Sequence, residues 1–206
     1  MKLFYSPGAC SIGIHVLLEE VGKPYEAELI NLKEGEQYNQ AYVAISPKSK
    51  VPALQCDSGR VLTEYGAIAT YIARNNPEAG LIPADADGES RMMEAMDYAV
   101  ATIHMQGFTR VARPLNFTPD EAGREAVQAR GREIYAKGLG IIAQRMGDKP
   151  WVAGDQYSIG DSAVFYVASW APRAGVELPH VIAAHYARMK ARPAVQRTIA
   201  AEGLSI

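Results

Sequence analysis

The chain has 206 residues, of which 48% are hydrophobic and 21% charged, and this composition predicts a folded protein with one large core or two smaller ones. Its formal charge of −2 provides no broad positive field, so we expect neither nucleic acid nor an anionic membrane as a partner. No uncharged apolar stretch reaches the roughly 18 residues of a membrane span. Cys10 and Cys56 are too few for a disulfide framework, which favours a reducing, cytoplasmic location.

The N-terminal segment has the pattern of a strand, a helix and a second strand. Lys2–Tyr5 is short, apolar and aromatic, as in a buried strand, and residues 6–9 are turn formers. Ser11 is the predicted N-cap of a helix that stops at Gly22. Residues 25–32 then alternate polar and apolar side chains, as a strand does. The segment therefore predicts a βαβ unit with parallel strands.

A hairpin follows a polar segment over residues 33–50, which we expect to be a loop. Residues 51–55 and 60–63 flank Asp57-Ser58-Gly59, a turn sequence that favours antiparallel pairing. Glu64 then opens another helix, with apolar and small residues on its packing side. The order of elements is therefore βαβ-ββα.

The composition changes after this first region. Residues 1–80 form a predicted α/β domain, and residues 81–88, which contain Pro83, Gly88 and two aspartates, form a linker. Residues 89–206 are expected to be all-helical. Helices are predicted at residues 89–112, 120–146, 158–170 and 179–190.

Two patterns stand out in the helical region. Asp97, Ala101 and His104 are spaced so that an α-helix would align them in one partly polar stripe. We expect that stripe to line a cleft. Ser158 and Asp161 have the spacing of a capping box, in which both side chains satisfy backbone N–H groups at a helix start. We interpret it as a folding signal.

Cys10 is the residue whose position most suggests chemistry. It lies beside a predicted helix N-terminus, where free N–H groups and the helix dipole favour a thiolate, so we expect a lowered pKa. A buried, inert cysteine is the other interpretation of the same position. Position 13 is Gly13, so the second cysteine of a redox Cys-x-x-Cys motif is absent.

Several short motifs together resemble the cytosolic glutathione transferases, specifically their bacterial beta class. They are Ser6-Pro7-Gly8-Ala9-Cys10-Ser11, Val51-Pro52-Ala53-Leu54, Leu62-Thr63-Glu64, the capping box, and Ala201-Glu202-Gly203-Leu204. The resemblance implies a thioredoxin-like N-terminal domain that binds glutathione as co-substrate. It also implies an all-helical C-terminal domain with a hydrophobic substrate pocket, and a homodimer.

The resemblance also implies roles for individual residues. Cys10, Ser11 and His104 would surround the glutathione sulfur and are the catalytic candidates. Val51 would precede a cis proline, and Glu64 would hold the γ-glutamyl ammonium group. The full set of implied glutathione-binding residues is Cys10, Lys33, Val51, Pro52, Glu64, Tyr65, Asp97 and His104.

Three positions depart from the beta-class pattern. Tyr65 replaces a small residue, Met105 replaces a lysine, and Asp97 stands where an asparagine is common. The last two changes make the cleft less positive, so we expect weaker glutathione binding or a different substrate set.

The predicted function is conjugation of glutathione to small hydrophobic electrophiles. One alternative is a glutathione-dependent thiol-disulfide reductase or peroxidase with Cys10 as the covalent nucleophile. Another is a non-catalytic ligand carrier on the same fold. The four histidines have no metal-like spacing with carboxylates or cysteines, so no metal is predicted.

Overall fold

The computed structural model describes residues 1–206, which form two compact units. The first unit contains Met1–Leu81 and Lys190–Ile206, and the second contains Ile82–Met189. This differs from the prediction of one helical domain over residues 89–206, because the C-terminal segment packs within the N-terminal unit. Each helix of the chain is too short or too polar to cross a membrane.

The first unit is built on a four-stranded mixed sheet with the order β2-β1-β3-β4. Strand β1 (Lys2–Tyr5) pairs in parallel with β2 (Glu26–Leu29), and α1 (Ser11–Val21) connects them. Strands β3 (Ala53–Gln55) and β4 (Val61–Thr63) form an antiparallel hairpin. The predicted βαβ unit and hairpin are confirmed.

Helix α1 lies at the centre of this unit. Residues 11–18 are all buried, and the helix packs against β1 and against α3 (Tyr65–Arg74). The helix ends at Gly22, whose φ of 70° places it in the left-handed region that glycine adopts most readily. A helix buried on all sides explains why few polar residues interrupt its sequence.

The segment predicted as a loop, residues 33–50, contains a short helix. Helix α2 (Gln40–Ile45) buries Tyr42, whose ring lies 5.8 Å from that of Phe4 between centroids. The Tyr42 hydroxyl donates a hydrogen bond to the Lys50 carbonyl at 2.7 Å. The helix covers fewer than two turns, so no hydrophobic periodicity marks it in the sequence.

The C-terminal segment of the first unit adds a helix that the sequence analysis did not predict. Helix α10 (Pro193–Ala201) packs along α1. Arg192 donates two hydrogen bonds to the Glu20 carboxylate, at 2.6 and 2.9 Å. Nε of Arg197 lies 2.5 Å from Oε2 of Glu19. These ion pairs attach the end of the chain to the helix that begins at Cys10.

The second unit is all-helical, as predicted. Its helices are α4 (Ala86–Tyr98), α5 (Thr109–Ala112), α6 (Arg124–Met146), α7 (Ile159–Ser169), α8 (Ala171–Ala174) and α9 (His180–Lys190). The predicted helices are confirmed with ends shifted by a few residues. The short α8 was not predicted.

Helix α4 continues into α5 through a π-helical segment, Ala99–Phe108, which we call the π segment. A π-helix bonds each N–H to the carbonyl five residues earlier and therefore has a wider turn than an α-helix. The predicted stripe of Asp97, Ala101 and His104 assumed α-helical spacing throughout. The three residues therefore do not share one face in the way the prediction required, because the number of residues per turn changes at Ala99.

Glycines let α6 lie directly against the π segment. A Cβ atom on Gly138 would stand 2.6 Å from Ile103 Cγ1, and one on Gly131 would stand 2.8 Å from the Gly107 carbonyl oxygen. Between them, the buried Tyr135 hydroxyl donates to the Val167 carbonyl of α7. This close packing fixes the part of the unit that carries His104.

The predicted capping box at the start of α7 is confirmed. Asp161 Oδ2 accepts the Ser158 N–H at 2.8 Å. Its other oxygen accepts the Val152 N–H at 2.9 Å and lies 2.9 Å from Nε2 of His185. The buried carboxylate therefore joins α7, α9 and the preceding loop.

Candidate active site

Cys10 stands immediately before α1 and beside the loop that enters β3. Its side chain is partly accessible, and its Sγ donates a hydrogen bond to the Val51 carbonyl oxygen at 3.4 Å. The Val51-Pro52 peptide bond is cis, as the family resemblance implied. The structure thus brings three of the predicted residues, Cys10, Val51 and Pro52, to one place.

The pKa of Cys10 differs from the sequence expectation. Burial raises the pKa of this thiol to about 12 and is the largest influence on it. The N–H groups of Cys10 and Ser11 and the charge of Lys50 lower the pKa, while Glu64 raises it. The predicted lowered pKa was therefore wrong, because loss of water around the thiol outweighs the helix N-terminus. Burial therefore favours the neutral form of the Cys10 thiol over the thiolate.

Ser11 is not the N-cap of α1 that the sequence analysis predicted. Cys10, not Ser11, occupies the N-cap position, and it makes no side-chain cap bond. The buried Ser11 hydroxyl accepts the Ser6 N–H at 3.1 Å and donates to the Ser6 carbonyl at 3.2 Å. These two hydrogen bonds close the loop that precedes Cys10.

Glu64 marks the start of α3, as predicted, and its backbone is unusual. Its φ of 72° is positive, a strain that costs a non-glycine residue about 1–3 kcal/mol and is concentrated at binding and catalytic sites. The exposed carboxylate lies 2.7 Å from Nζ of Lys48. Tyr65 is buried and supplies the first backbone N–H of the helix.

Two lysines of the first unit differ in what connects them to Cys10. Lys33 is exposed, and its backbone N–H donates to the Asn31 side chain at 3.1 Å. Lys50 precedes Val51 and lies close enough to Cys10 to lower its pKa. The sequence analysis missed Lys48 and Lys50, although both lie next to the Val51-Pro52 motif.

The two remaining candidates, Asp97 and His104, lie in the second unit. Asp97 is exposed on α4. His104 is half-buried in the π segment, where its Nδ1 lies 3.3 Å from the Tyr166 hydroxyl. The Trp170 ring crosses it edge-on, with 4.8 Å between centroids. The imidazole is therefore held in one orientation by aromatic neighbours.

The site and fold together define a class of protein. Its first unit has a thioredoxin-like sheet with a cysteine at the start of the first helix and a cis proline before the next strand. A helical unit follows it in sequence.

Comparison with known proteins gives the family. Residues 8–75 match the family described as glutathione S-transferase, N-terminal domain, and residues 125–197 match the C-terminal domain. The glutathione S-transferase GstA of Escherichia coli O157:H7 is 36% identical over 99% of this chain and 100% of the relative. The chain belongs to the glutathione S-transferase family.

Solved structures agree with this assignment. A glutathione transferase homologue from Sulfitobacter, with bound glutathione, is 29% identical and has a TM-score of 0.92 over 99% of this chain and 98% of its own. A beta-class glutathione S-transferase from Sphingomonas chungbukensis is 31% identical, with a TM-score of 0.86 over 100% of both chains. The family predicted from the sequence is confirmed.

Proposed function

We propose that the protein conjugates the thiol of glutathione to small hydrophobic electrophiles. The observation that carries the proposal is the position of the Cys10 thiol, 3.4 Å from the carbonyl oxygen of the cis Val51-Pro52 bond. Glutathione paired with the Val51 backbone would have its own sulfur next to Cys10. Relatives named as glutathione S-transferases support the same function.

The polar groups of the first unit suit the two ends of glutathione. The Glu64 carboxylate would bind the γ-glutamyl ammonium group, and the Tyr65 N–H at the helix start would bind its carboxylate. Lys33 and Lys50 add positive charge for the glycyl carboxylate. Lys48 would compete with the ammonium group for the Glu64 carboxylate.

The neutral form of the Cys10 thiol favours a hydrogen-bonding role in this reaction. A neutral thiol that gives up its bond to Val51 can donate its proton to the glutathione sulfur, which stabilises that sulfur as an anion. In the transfer, the glutathione S–H gives its proton to water, the sulfur uses its electron pair to form a bond to the electrophilic carbon, and the leaving group departs with the electron pair of the bond that breaks. Ser11 contributes by holding the loop, and His104 remains a candidate that the family resemblance alone supplies.

The alternative of covalent thiol-disulfide chemistry receives less support. A covalent nucleophile needs the thiolate, whereas burial raises the pKa of the Cys10 thiol to about 12.

The family resemblance supports a homodimer, so we expect a solution mass of twice 22.3 kDa. We also propose a cytoplasmic location, since Cys10 and Cys56 are both free thiols.

The proposal is tested by titrating the reduced protein with glutathione in a calorimeter, together with a conjugation assay using a chromogenic aryl halide. We expect saturable binding, and conjugation that Cys10→Ala slows. Cys56→Ala is the matched control, because Cys56 is buried and follows β3 whereas Val51 precedes it, and it should conjugate like the wild type. No binding up to about 10 mM, far above usual KM values, would overturn the proposal.

Intact-mass measurement separates the conjugation and redox alternatives. After exposure to oxidised glutathione, the redox alternative requires a stable adduct on Cys10 that vanishes in Cys10→Ala. Our proposal expects conjugation to exceed mixed-disulfide reduction in the same preparation. The reverse order would favour the redox function.

A further inference from the structure

Four side chains of the second unit form a continuous column, which we call the aromatic column. The Trp170 ring stacks on the Phe108 ring, with 4.4 Å between centroids and 23° between planes. Trp170 also meets the His104 ring edge-on, at 4.8 Å between centroids. The Arg173 guanidinium lies over the Phe108 ring, 5.2 Å from its centroid. The column therefore joins His104 at one end to Arg173 at the other.

Helical spacing brings these four side chains together. His104 and Phe108 are four residues apart in the π segment, and Trp170 and Arg173 are three apart where α7 passes into α8. Side chains at such separations lie on one side of a helix, and the π segment packs against α7. Phe108 and Trp170 are buried, whereas His104 is half-buried and Arg173 is exposed. The two ends of the column are therefore its most accessible parts.

Arg173 brings a positive charge that no carboxylate neutralises. Arg124 and Arg145 each form an ion pair with a glutamate, whereas no acidic side chain lies within ion-pair distance of Arg173. A guanidinium held over a ring keeps the N–H groups at its edges for a second partner. Burial raises the pKa of Tyr135, and the Arg173 charge opposes that rise. The charge of Arg173 therefore acts inside the unit as well as at its surface.

A structural role would also account for the position of Arg173. A cation in the last turn of a helix and over an aromatic ring stabilises the fold. That role explains the contact with Phe108 but makes no difference between charged and neutral ligands. A binding role requires a preference for ligands that carry a negative charge.

We infer that Arg173 determines substrate specificity by binding an anionic substituent, a carboxylate or a sulfonate, on an aromatic electrophile. The inference rests on the proposed function and narrows its substrate class. A carboxylate would accept two N–H bonds from the guanidinium, while the ring that bears it would pack along the aromatic column. His104 is the catalytic candidate of the second unit, so the reacting carbon would lie toward that end of the column.

The first test compares a chloro-dinitrobenzoate with the corresponding neutral chloro-dinitrobenzamide as substrates. We expect Arg173→Gln to lower the ratio of their kcat/KM values, carboxylate over amide, about 10-fold, mainly through the KM of the carboxylate. Arg173→Lys should retain part of the ratio, because it keeps the charge without the planar fork. Arg130→Gln is the matched control: Arg130 is exposed on α6 and pairs with Glu133 of the same helix, so the ratio should stay that of the wild type.

The second test measures binding without glutathione. The chain has two tryptophans, Trp151 and Trp170, so in a Trp151→Phe background the fluorescence reports Trp170 alone. We expect dinitrobenzoate, which has no leaving group, to quench this fluorescence at lower concentration than dinitrobenzamide does. Arg173→Gln should weaken the benzoate about 10-fold. High salt should weaken the benzoate and leave the amide unchanged, because salt screens only the charged ligand.

The outcomes distinguish this inference from the proposed function. If Arg173→Gln and Arg130→Gln give the same substrate ratio and the same benzoate affinity, Arg173 is structural only and the inference is wrong. Urea unfolding of both variants identifies any loss of folding, which would lower the activity toward both substrates equally. If the wild type conjugates neither substrate, the proposed function fails by itself. The fluorescence affinities then still decide whether Arg173 binds the anionic group.

Discussion

Two helix N-termini in this protein are built in opposite ways. Helix α7 is capped by its own neighbours, because Ser158 and Asp161 satisfy backbone N–H groups within one turn. Helix α1 begins at Cys10 with no side-chain cap, and the loop before it is held by Glu202 from the end of the chain. Each arrangement contains a buried carboxylate and a histidine.

The difference between them follows from what each terminus must do. A structural terminus is most stable when local side chains occupy all of its donors. A ligand-binding terminus must keep its donors and its thiol available. The α1 terminus therefore obtains its rigidity from residues that do not cover it.

The largest effect on stability is expected at the α7 terminus. Asp161→Ala removes a carboxylate that accepts hydrogen bonds from Val152, Ser158 and His185, and the loss should be about 3–5 kcal/mol. Urea unfolding measures it, and the surviving folded protein should keep the wild-type KM for glutathione. A loss below about 1 kcal/mol would show that the two termini do not differ as described.

The second prediction concerns the ionisation of Cys10. Because burial raises the pKa of this acidic group to about 12, the neutral form is favoured and the thiolate appears only as the pH approaches that value. The neutral thiol also stabilises the fold below the unfolded pKa of about 8.5, and this contribution is lost as the pH rises further. Thiolate absorbance should therefore show no Cys10 titration between about pH 6 and 8.

Cys10→Ala identifies the signal in that titration. An inflection near neutral pH that disappears in the variant would contradict the account. It would show that the helix terminus outweighs burial at this site.

Gly8 offers a smaller and more local test. Gly8→Ala and Gly175→Ala both place a side chain at positive φ, 67° and 65°, and each should cost about 1–2 kcal/mol. Neither Cβ atom would meet a close contact, but Gly8 lies two residues before Cys10, so only the strain of Gly8→Ala should weaken glutathione binding in calorimetry. Equal binding by both variants would mean that the Gly8 loop tolerates displacement.

The smallest expected effect is at Lys48. Its exposed pair with Glu64 is worth less than about 1 kcal/mol, and its removal by Lys48→Met should tighten glutathione binding about two- to threefold at low salt. Lys23→Met, which breaks a comparable exposed pair with Glu78, is the control and should leave binding unchanged. Weaker binding by Lys48→Met would show that Lys48 holds glutathione instead of competing with it.

Local signals in the sequence predicted much of the fold. The capping box and the turn at Asp57-Ser58-Gly59 are patterns over a few residues, and the structure confirms both. Strand β2 is also confirmed, but its four residues are all exposed instead of alternately buried. Helix α2 was missed because it is too short to show periodicity. Helix α10 was missed because its apolar residues cover α1, which is distant in sequence.

The candidate site was only partly predictable. Cys10, Val51 and Glu64 follow from motifs, whereas the bond between Gly8 and Glu202 joins opposite ends of the chain and leaves no spacing to detect. The motif Ala201-Glu202-Gly203-Leu204 was visible but suggested no contact. The pKa of Cys10 was predicted with the wrong sign, because the sequence indicates the helix terminus and does not indicate the burial around the thiol.

The most direct test of the central claim is hydrogen exchange measured by mass spectrometry with and without glutathione. The account predicts that saturating glutathione slows exchange of the backbone amides in residues 8–12, at Val51 and at Tyr65. Amides of α7 at its capped start should be unchanged. If glutathione binds but exchange is not slowed at any of these three places, the loop before Cys10 is not the glutathione site.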